Sequence, residues 1–192
     1  MKLACACHVS DVYSNVPNIL VLPERTTLDE LRLARQLRSE PFVVAAVADG
    51  LFIRGYLIHK GRNQIDYLKT LPDALSLGGP ALSTLPVHET PELAVGVLIC
   101  RDFQNNELRE AVLSRMRTSS APRKILCIPA DMGSEWFSST DSEIKTFLGI
   151  HLAVSNNSRQ ADQTRCPSLI ANPNGSRIVT QSTYEPIYAD VP

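Results

Sequence analysis

The stretch AVGVLICRDFQNNELREAVLSRM, residues 94–116, decides the fold. It opens on a short apolar run from Ala94 to Cys100, the pattern of a strand buried on both faces. Charge arrives at once with Arg101 and Asp102. Leu108, Ala111, Val112 and Met116 then recur at helical spacing and predict an amphipathic helix over 106–116. A buried strand that passes through a charged turn into a helix is a building unit of α/β folds. The stretch also raises a chemical question, because its apolar run ends on a thiol. A free cysteine is a small hydrophobe that suits a core. A strand end is equally a place where a nucleophile is held rigidly and still reached by substrate.

Outward from this unit, strands alternate with a few helices. LACAC (3–7), NILVLPE (18–24) and PFVVAAVAD (41–49) read as buried strands, and 51–69 reads as two strands across a turn at Lys60–Asn63. Between them, Leu28, Leu31, Ala34 and Leu37 predict a helix over 28–38, with Thr27 and Glu30 as a capping box. Residues 70–92 hold four prolines and a glycine pair and read as a long loop. Downstream, KILCIP (124–129) is a strand. Thr140 and Glu143 suggest a second capping box before IKTFL. Four closing strands lie in GIHLAV, CPSLIAN, SRIVTQS and PIYADV, with a turn at Pro173-Asn174-Gly175. No internal repeat or linker is visible, so residues 1–192 read as one α/β domain with about ten strands and three or four helices.

Composition narrows the function classes. Of 192 residues, 44% are apolar and 20% charged, and the net charge is −1. The basic residues are scattered, which gives no electrostatic case for nucleic acid or an anionic membrane surface. No apolar run approaches the ~18 residues of a spanning helix. No leader is visible, since Met1-Lys2 precedes only a few apolar residues. The five cysteines, Cys5, Cys7, Cys100, Cys127 and Cys166, are odd in number and lie in apolar or strand-like contexts. That argues against a disulfide framework and for a reducing, cytoplasmic location. Cys5-Ala6-Cys7-His8 has no second Cys/His pair at ligand spacing, so no metal site is expected.

Three chemically useful residues close buried runs: Glu24 in LVLPE, Lys69 in IDYLK and Cys100 in GVLIC. Any one of them is as readily the point where a chain meets water. Brought together they make a site for acyl transfer. The carboxylate takes the thiol proton, the thiolate attacks a carbonyl or nitrile carbon, and the ammonium stabilises the oxyanion. Backbone N–H groups at Arg101 and Asp102 are placed to complete an oxyanion hole.

NILVLPE, DYLKT and GVLICRDFQNNELREAV resemble the three signature segments of the nitrilase, or carbon–nitrogen hydrolase, superfamily. RKILCIPADMGSEW and the closing strands with their S-x-x-x-x-P-x-G turn extend the resemblance across the chain. It implies a four-layer α-β-β-α sandwich, with Glu24 as general base, Lys69 as the oxyanion-stabilising lysine and Cys100 as nucleophile. It implies hydrolysis of a small nonpeptide amide, carbamoyl compound or nitrile, no metal or organic cofactor, and pairing into a homodimer or higher homo-oligomer. A degenerate binding or assembly module and an amide-forming acyltransferase stand as alternatives.

Departures from the family pattern carry their own expectations. Residues 8–17 stand where a long first helix is usual and cannot form one, so the amino-terminal helical flank should be reduced. Arg101 replaces an uncharged residue. Turned inward it would bind a substrate carboxylate, whereas strand alternation favours the outward direction. Of the acids between lysine and cysteine, Asp73 is the nearest stand-in for a second, supporting Glu. Trp136 and Asn156 are pocket candidates, with a packing role open for the first and a turn role for the second.

Overall fold

The apolar run at Ile19–Leu22 is completely buried inside a sheet, as continuous hydrophobicity demands. The computed structural model describes residues 1–37, 40–72, 76–131, 149–156, 168–181 and 185–192. Strands β1 (Lys2–Cys5), β2 (Ile19–Thr26), β3 (Phe42–Asp49), β4 (Phe52–His59) and β5 (Arg62–Leu68) build the first sheet with the last strand, β12 (Ile187–Asp190). Strands β6 (Val87–Glu89), β7 (Leu93–Val97), β8 (Arg123–Ala130), β9 (His151–Asn156), β10 (Ser168–Ala171) and β11 (Arg177–Gln181) build the second.

The strand orders are β12-β1-β2-β3-β4-β5 and β11-β10-β9-β8-β7-β6. Each sheet has three central parallel strands, β1-β2-β3 or β7-β8-β9. An antiparallel strand flanks each trio on one side and an antiparallel pair on the other. The halves therefore repeat one another in topology, although no repeat shows in the sequence. Side-chain faces permit this, because burial constrains residue class and not identity.

Alternation along the strands divides the core into three layers. Cys5, Val21, Val44 and Leu57 of the first sheet meet Val95, Val97, Ile125 and Ala153 of the second between the sheets. Outside the second sheet, Val112, Leu113 and Met116 of helix α2 (Asn106–Thr118) cover Leu126, Leu152 and Val154. Outside the first, Leu31 and Ala34 of helix α1 (Leu28–Ala34) cover Leu20, Val43 and Ala45. The sandwich thus has a helical layer on each outer face.

Several local expectations change. Helix α1 stops four residues short of the predicted span, and Leu28 is 55% exposed and not in the core. Thr27 caps it by accepting the Glu30 N–H at 3.2 Å. The Glu30 carboxylate is drawn instead to the Val9 N–H at 2.8 Å and to His8 at 3.0 Å, so the reciprocal half of the capping box is not made. The loop over 70–92 contains the short strand β6, whose half-buried residues carry no hydrophobic pattern. The described residues hold twelve strands and two α-helices, against the expected ten and three or four. The reduced amino-terminal flank is present: between β1 and β2 the chain forms only a four-residue 3-10 turn, Val9–Val12. The predicted helix near 140–148 lies outside the described residues, as do Asp73, Trp136 and Cys166. Among the described residues no helix is long and apolar enough to cross a membrane.

Candidate active site

Parallel strands end together, and the carboxyl ends of β2, β5, β7 and β8 meet at one end of the sandwich. Glu24 lies on β2 between two irregularities in the pairing with β3, one after Val21 and one before Thr26. Pro23 suits such a bulge because it has no ladder N–H to offer. The Thr26 hydroxyl fastens the bulge by donating to the Pro23 carbonyl at 2.7 Å. Bulges re-aim side chains beside functional sites, and this one turns the Glu24 carboxylate inward.

Lys69 follows β5 directly. Its N–H donates to the Ile53 carbonyl at 2.8 Å, and its carbonyl accepts from Gly79 at 2.7 Å. Gly78 and Gly79 press against this segment. A Cβ on Gly79 would stand 2.7 Å from the Leu68 Cβ, and one on Gly78 2.5 Å from the Thr70 carbonyl oxygen. The glycine pair of the long loop therefore serves close backbone approach to the lysine.

Cys100 is not the last residue of a strand. Strand β7 ends at Val97, and Cys100 opens a 3-10 turn, Cys100–Gln104, with a left-handed φ of 44°. A non-glycine residue held there is strained and persists only where its surroundings over-determine it. Helix α2 follows the turn, capped by the Asn105 side chain, which accepts the Leu108 N–H at 3.2 Å.

The three residues meet. The Lys69 ammonium donates to Glu24 Oε1 at 2.8 Å, with side-chain exposures of 0% and 1%. The Cys100 thiol lies 3.9 Å from the Asp131 carbonyl oxygen, just past β8, close enough to Glu24 and Lys69 to feel both charges. Burial pushes the thiol well above its usual range, the Glu24 charge adds to this, and the Lys69 charge opposes it. A thiol so raised rests protonated, beside a carboxylate and an ammonium. Beside it, Arg25 Nε pairs with Asp131 Oδ2 at 3.3 Å, an ion pair that links the two sheets at this end.

Other expected residues fall as follows. The Arg101 side chain is exposed and donates to the Pro72 carbonyl at 3.1 Å. The Asp102 N–H is engaged by the Ile99 carbonyl at 2.8 Å, so of the two expected oxyanion donors Arg101 is the one left to the turn. Asn156 is buried at the end of β9, its N–H donating to the Ser168 hydroxyl at 3.2 Å. Glu89 pairs with Arg115 at 3.1 Å and Glu92 with Arg123 at 3.6 Å, both by the amino ends of β7 and β8 and away from the site. Cys127 is fully buried in the core. Among the described residues no three His, Cys, Asp or Glu side chains gather as a metal site.

Sequence reasoning missed Tyr67, Arg25, Asp131 and the side chain of Asp102. Tyr67 had a signal, since a strand residue two before Lys69 shares its face. Arg25 and Asp131 had none beyond adjacency to strand ends.

No protein-family model matches the chain, and no curated protein matches it. Solved structures do. It superposes on the NitN amidase of Nesterenkonia sp. AN1 with a TM-score of 0.73 at 17% identity, over 100% of this chain and 93% of that one. A variant of that amidase, described as a nitrilase-superfamily enzyme, gives 0.73 at 15% identity, over 100% and 92%. The chain has the nitrilase-superfamily fold. A further variant, with acrylamide added at its active-site cysteine, gives 0.70 at 16% identity, over 100% of the nitrilase-fold chain here and 93% of that one.

Proposed function

We propose that this nitrilase-fold protein is a carbon–nitrogen hydrolase of the amidase type, acting on a small nonpeptide amide or nitrile through a Cys100 thioester. One observation carries the reading: the Lys69 ammonium donates to a fully buried carboxylate, Glu24, at 2.8 Å, and the charges of both act on the buried Cys100 thiol. A fully buried ion pair adds little net stability compared with apolar packing, so its presence calls for a role other than holding the fold.

The steps follow from the contacts. A substrate carbonyl settles beside the sulfur with its oxygen toward Lys69 and the Arg101 N–H. Glu24 takes the thiol proton as the C–S bond forms, and the new negative charge on oxygen is balanced by the ammonium. The C–N bond breaks as Glu24 returns the proton to the leaving nitrogen. Glu24 then takes a proton from water, hydroxide adds to the thioester, and the C–S bond breaks as Glu24 passes that proton to sulfur, which releases the acid and restores both the thiol and the carboxylate. The raised thiol makes the base indispensable, because few sulfurs are ionised before substrate arrives.

The test is ammonia release from acetamide, propionamide, butyramide and the matching nitriles. Turnover of at least one compound, absent in Cys100→Ala, is expected. No release from any of them, together with no covalent adduct by intact mass, overturns the reading in favour of a binding module.

A further inference from the structure

Resting on the proposed hydrolase reading, we infer that Asp102 is a positioning residue: its carboxylate ties the backbone after Lys69 to the turn that carries Cys100, and so sets where the ammonium stands relative to the sulfur. Asp102 is fully buried. Its Oδ1 accepts the Thr70 N–H at 2.9 Å, the Thr70 hydroxyl at 2.7 Å and the Leu71 N–H at 2.9 Å. Its Oδ2 accepts the Thr70 N–H at 3.1 Å.

These bonds close a circuit. The Tyr67 oxygen accepts the Ile99 N–H at 2.8 Å. The Asp102 N–H returns to the Ile99 carbonyl at 2.8 Å. Tyr67 and Thr70 bracket Lys69 in the chain, and Ile99 and Asp102 bracket Cys100. The two reacting side chains come from different sheets, and this circuit joins their backbones. It also supplies the surroundings that hold Cys100 at its left-handed φ. Every partner of the carboxylate is a donor, so the site is built for an acceptor with no hydrogen of its own. An amide in its place turns an NH2 toward donors.

The experiment compares two probes on Cys100, read by peptide mass. Acrylamide carries a carbonyl oxygen that must be held as it accepts charge, whereas methyl methanethiosulfonate requires only an accessible thiolate. In Asp102→Asn, acrylamide addition is expected to slow by about 10- to 100-fold, the size of a lost charge-assisted hydrogen bond, with the methanethiosulfonate rate little changed. Thr70→Val, which removes one hydroxyl and keeps the shape, should shift the ratio the same way by less and covers the case in which Asp102→Asn does not fold. Equal slowing of both probes, or an unchanged ratio in Thr70→Val and any folded Asp102→Asn, overturns the positioning role alone. If wild-type Cys100 takes up acrylamide no faster than the other cysteines, the hydrolase reading falls and this inference with it.

Discussion

Two strands of this molecule lead to a buried cysteine at the same end of the sandwich. The β1 segment runs on to Cys7, and the β7 segment to Cys100. The strands occupy matching places in the two sheets, and each is followed by a crossover to a parallel neighbour. After Cys7 the crossover is a four-residue turn. After Cys100 it is a 3-10 turn and a thirteen-residue helix, which hold the cysteine at a left-handed φ. Glu24 and Lys69, both from the opposite sheet, bring a buried carboxylate and an ammonium to this cysteine. A thiol near a strand end is thus no site by itself. What distinguishes Cys100 is the partner sheet and the length of chain that follows.

The largest effect should separate the two cysteines outright. Cys100→Ala is expected to lower amide turnover by at least about 10⁴-fold with the fold intact, while Cys7→Ala leaves turnover close to wild type. Equal losses from the two, in steady-state assays on folded protein, would dissolve the contrast.

Next comes the pair that only Cys100 meets. Lys69→Met leaves a buried Glu24 without its cation and should cost about 3–5 kcal/mol of stability, read by denaturant titration. Adding Glu24→Gln removes the stranded charge and should restore part of that stability while activity stays lost. A double variant no more stable than Lys69→Met contradicts the account of Glu24 as a carboxylate compensated by the lysine.

A smaller effect concerns the helical cover over β7. A Cβ on Gly96 would stand 2.5 Å from the Met116 sulfur and 3.1 Å from a Val112 methyl. Gly96→Ala should destabilise by about 1–3 kcal/mol through this overpacking, measured by thermal melting. A neutral result would mean that α2 rides loosely on its sheet and does not help to set the cysteine turn.

How much of this was legible beforehand depended on whether a feature is local. Runs such as Ile19–Leu22 and Val43–Ala46 announced buried strands because apolar residues on both faces have no other use. Glu24, Lys69 and Cys100 stood out because each closes such a run. Alternation tells which face a side chain takes and says nothing about what waits across the gap, so the circuit of Tyr67, Asp102 and Thr70 was invisible. The left-handed turn at Cys100 was hidden for another reason: no glycine marks it, since surrounding bonds and not residue type impose it. Leu28 fitted a helical stripe yet, as the first residue of the seven-residue α1, it stands exposed.

The smallest effect lies at the other end of the strands. Burial lowers the titration of His59, His88 and His151, which stand neutral in the fold. The unfolded chain takes up these protons first as pH falls below about 6.5, so their share of stability is complete above that value and drains away beneath it. Melting temperature should decline modestly below pH ~6.5, and less so in His151→Gln. A melting curve flat with pH down to the carboxylate range would refute this.

The most direct test of the central claim is the site of acrylamide addition, mapped by peptide mass across all five cysteines. A Cys100 brought to reactivity by Glu24 and Lys69 predicts one adduct per chain, on Cys100, and its loss in Glu24→Gln. Labelling spread evenly over Cys100, Cys7 and the remaining thiols, unaffected by Glu24→Gln, would contradict it.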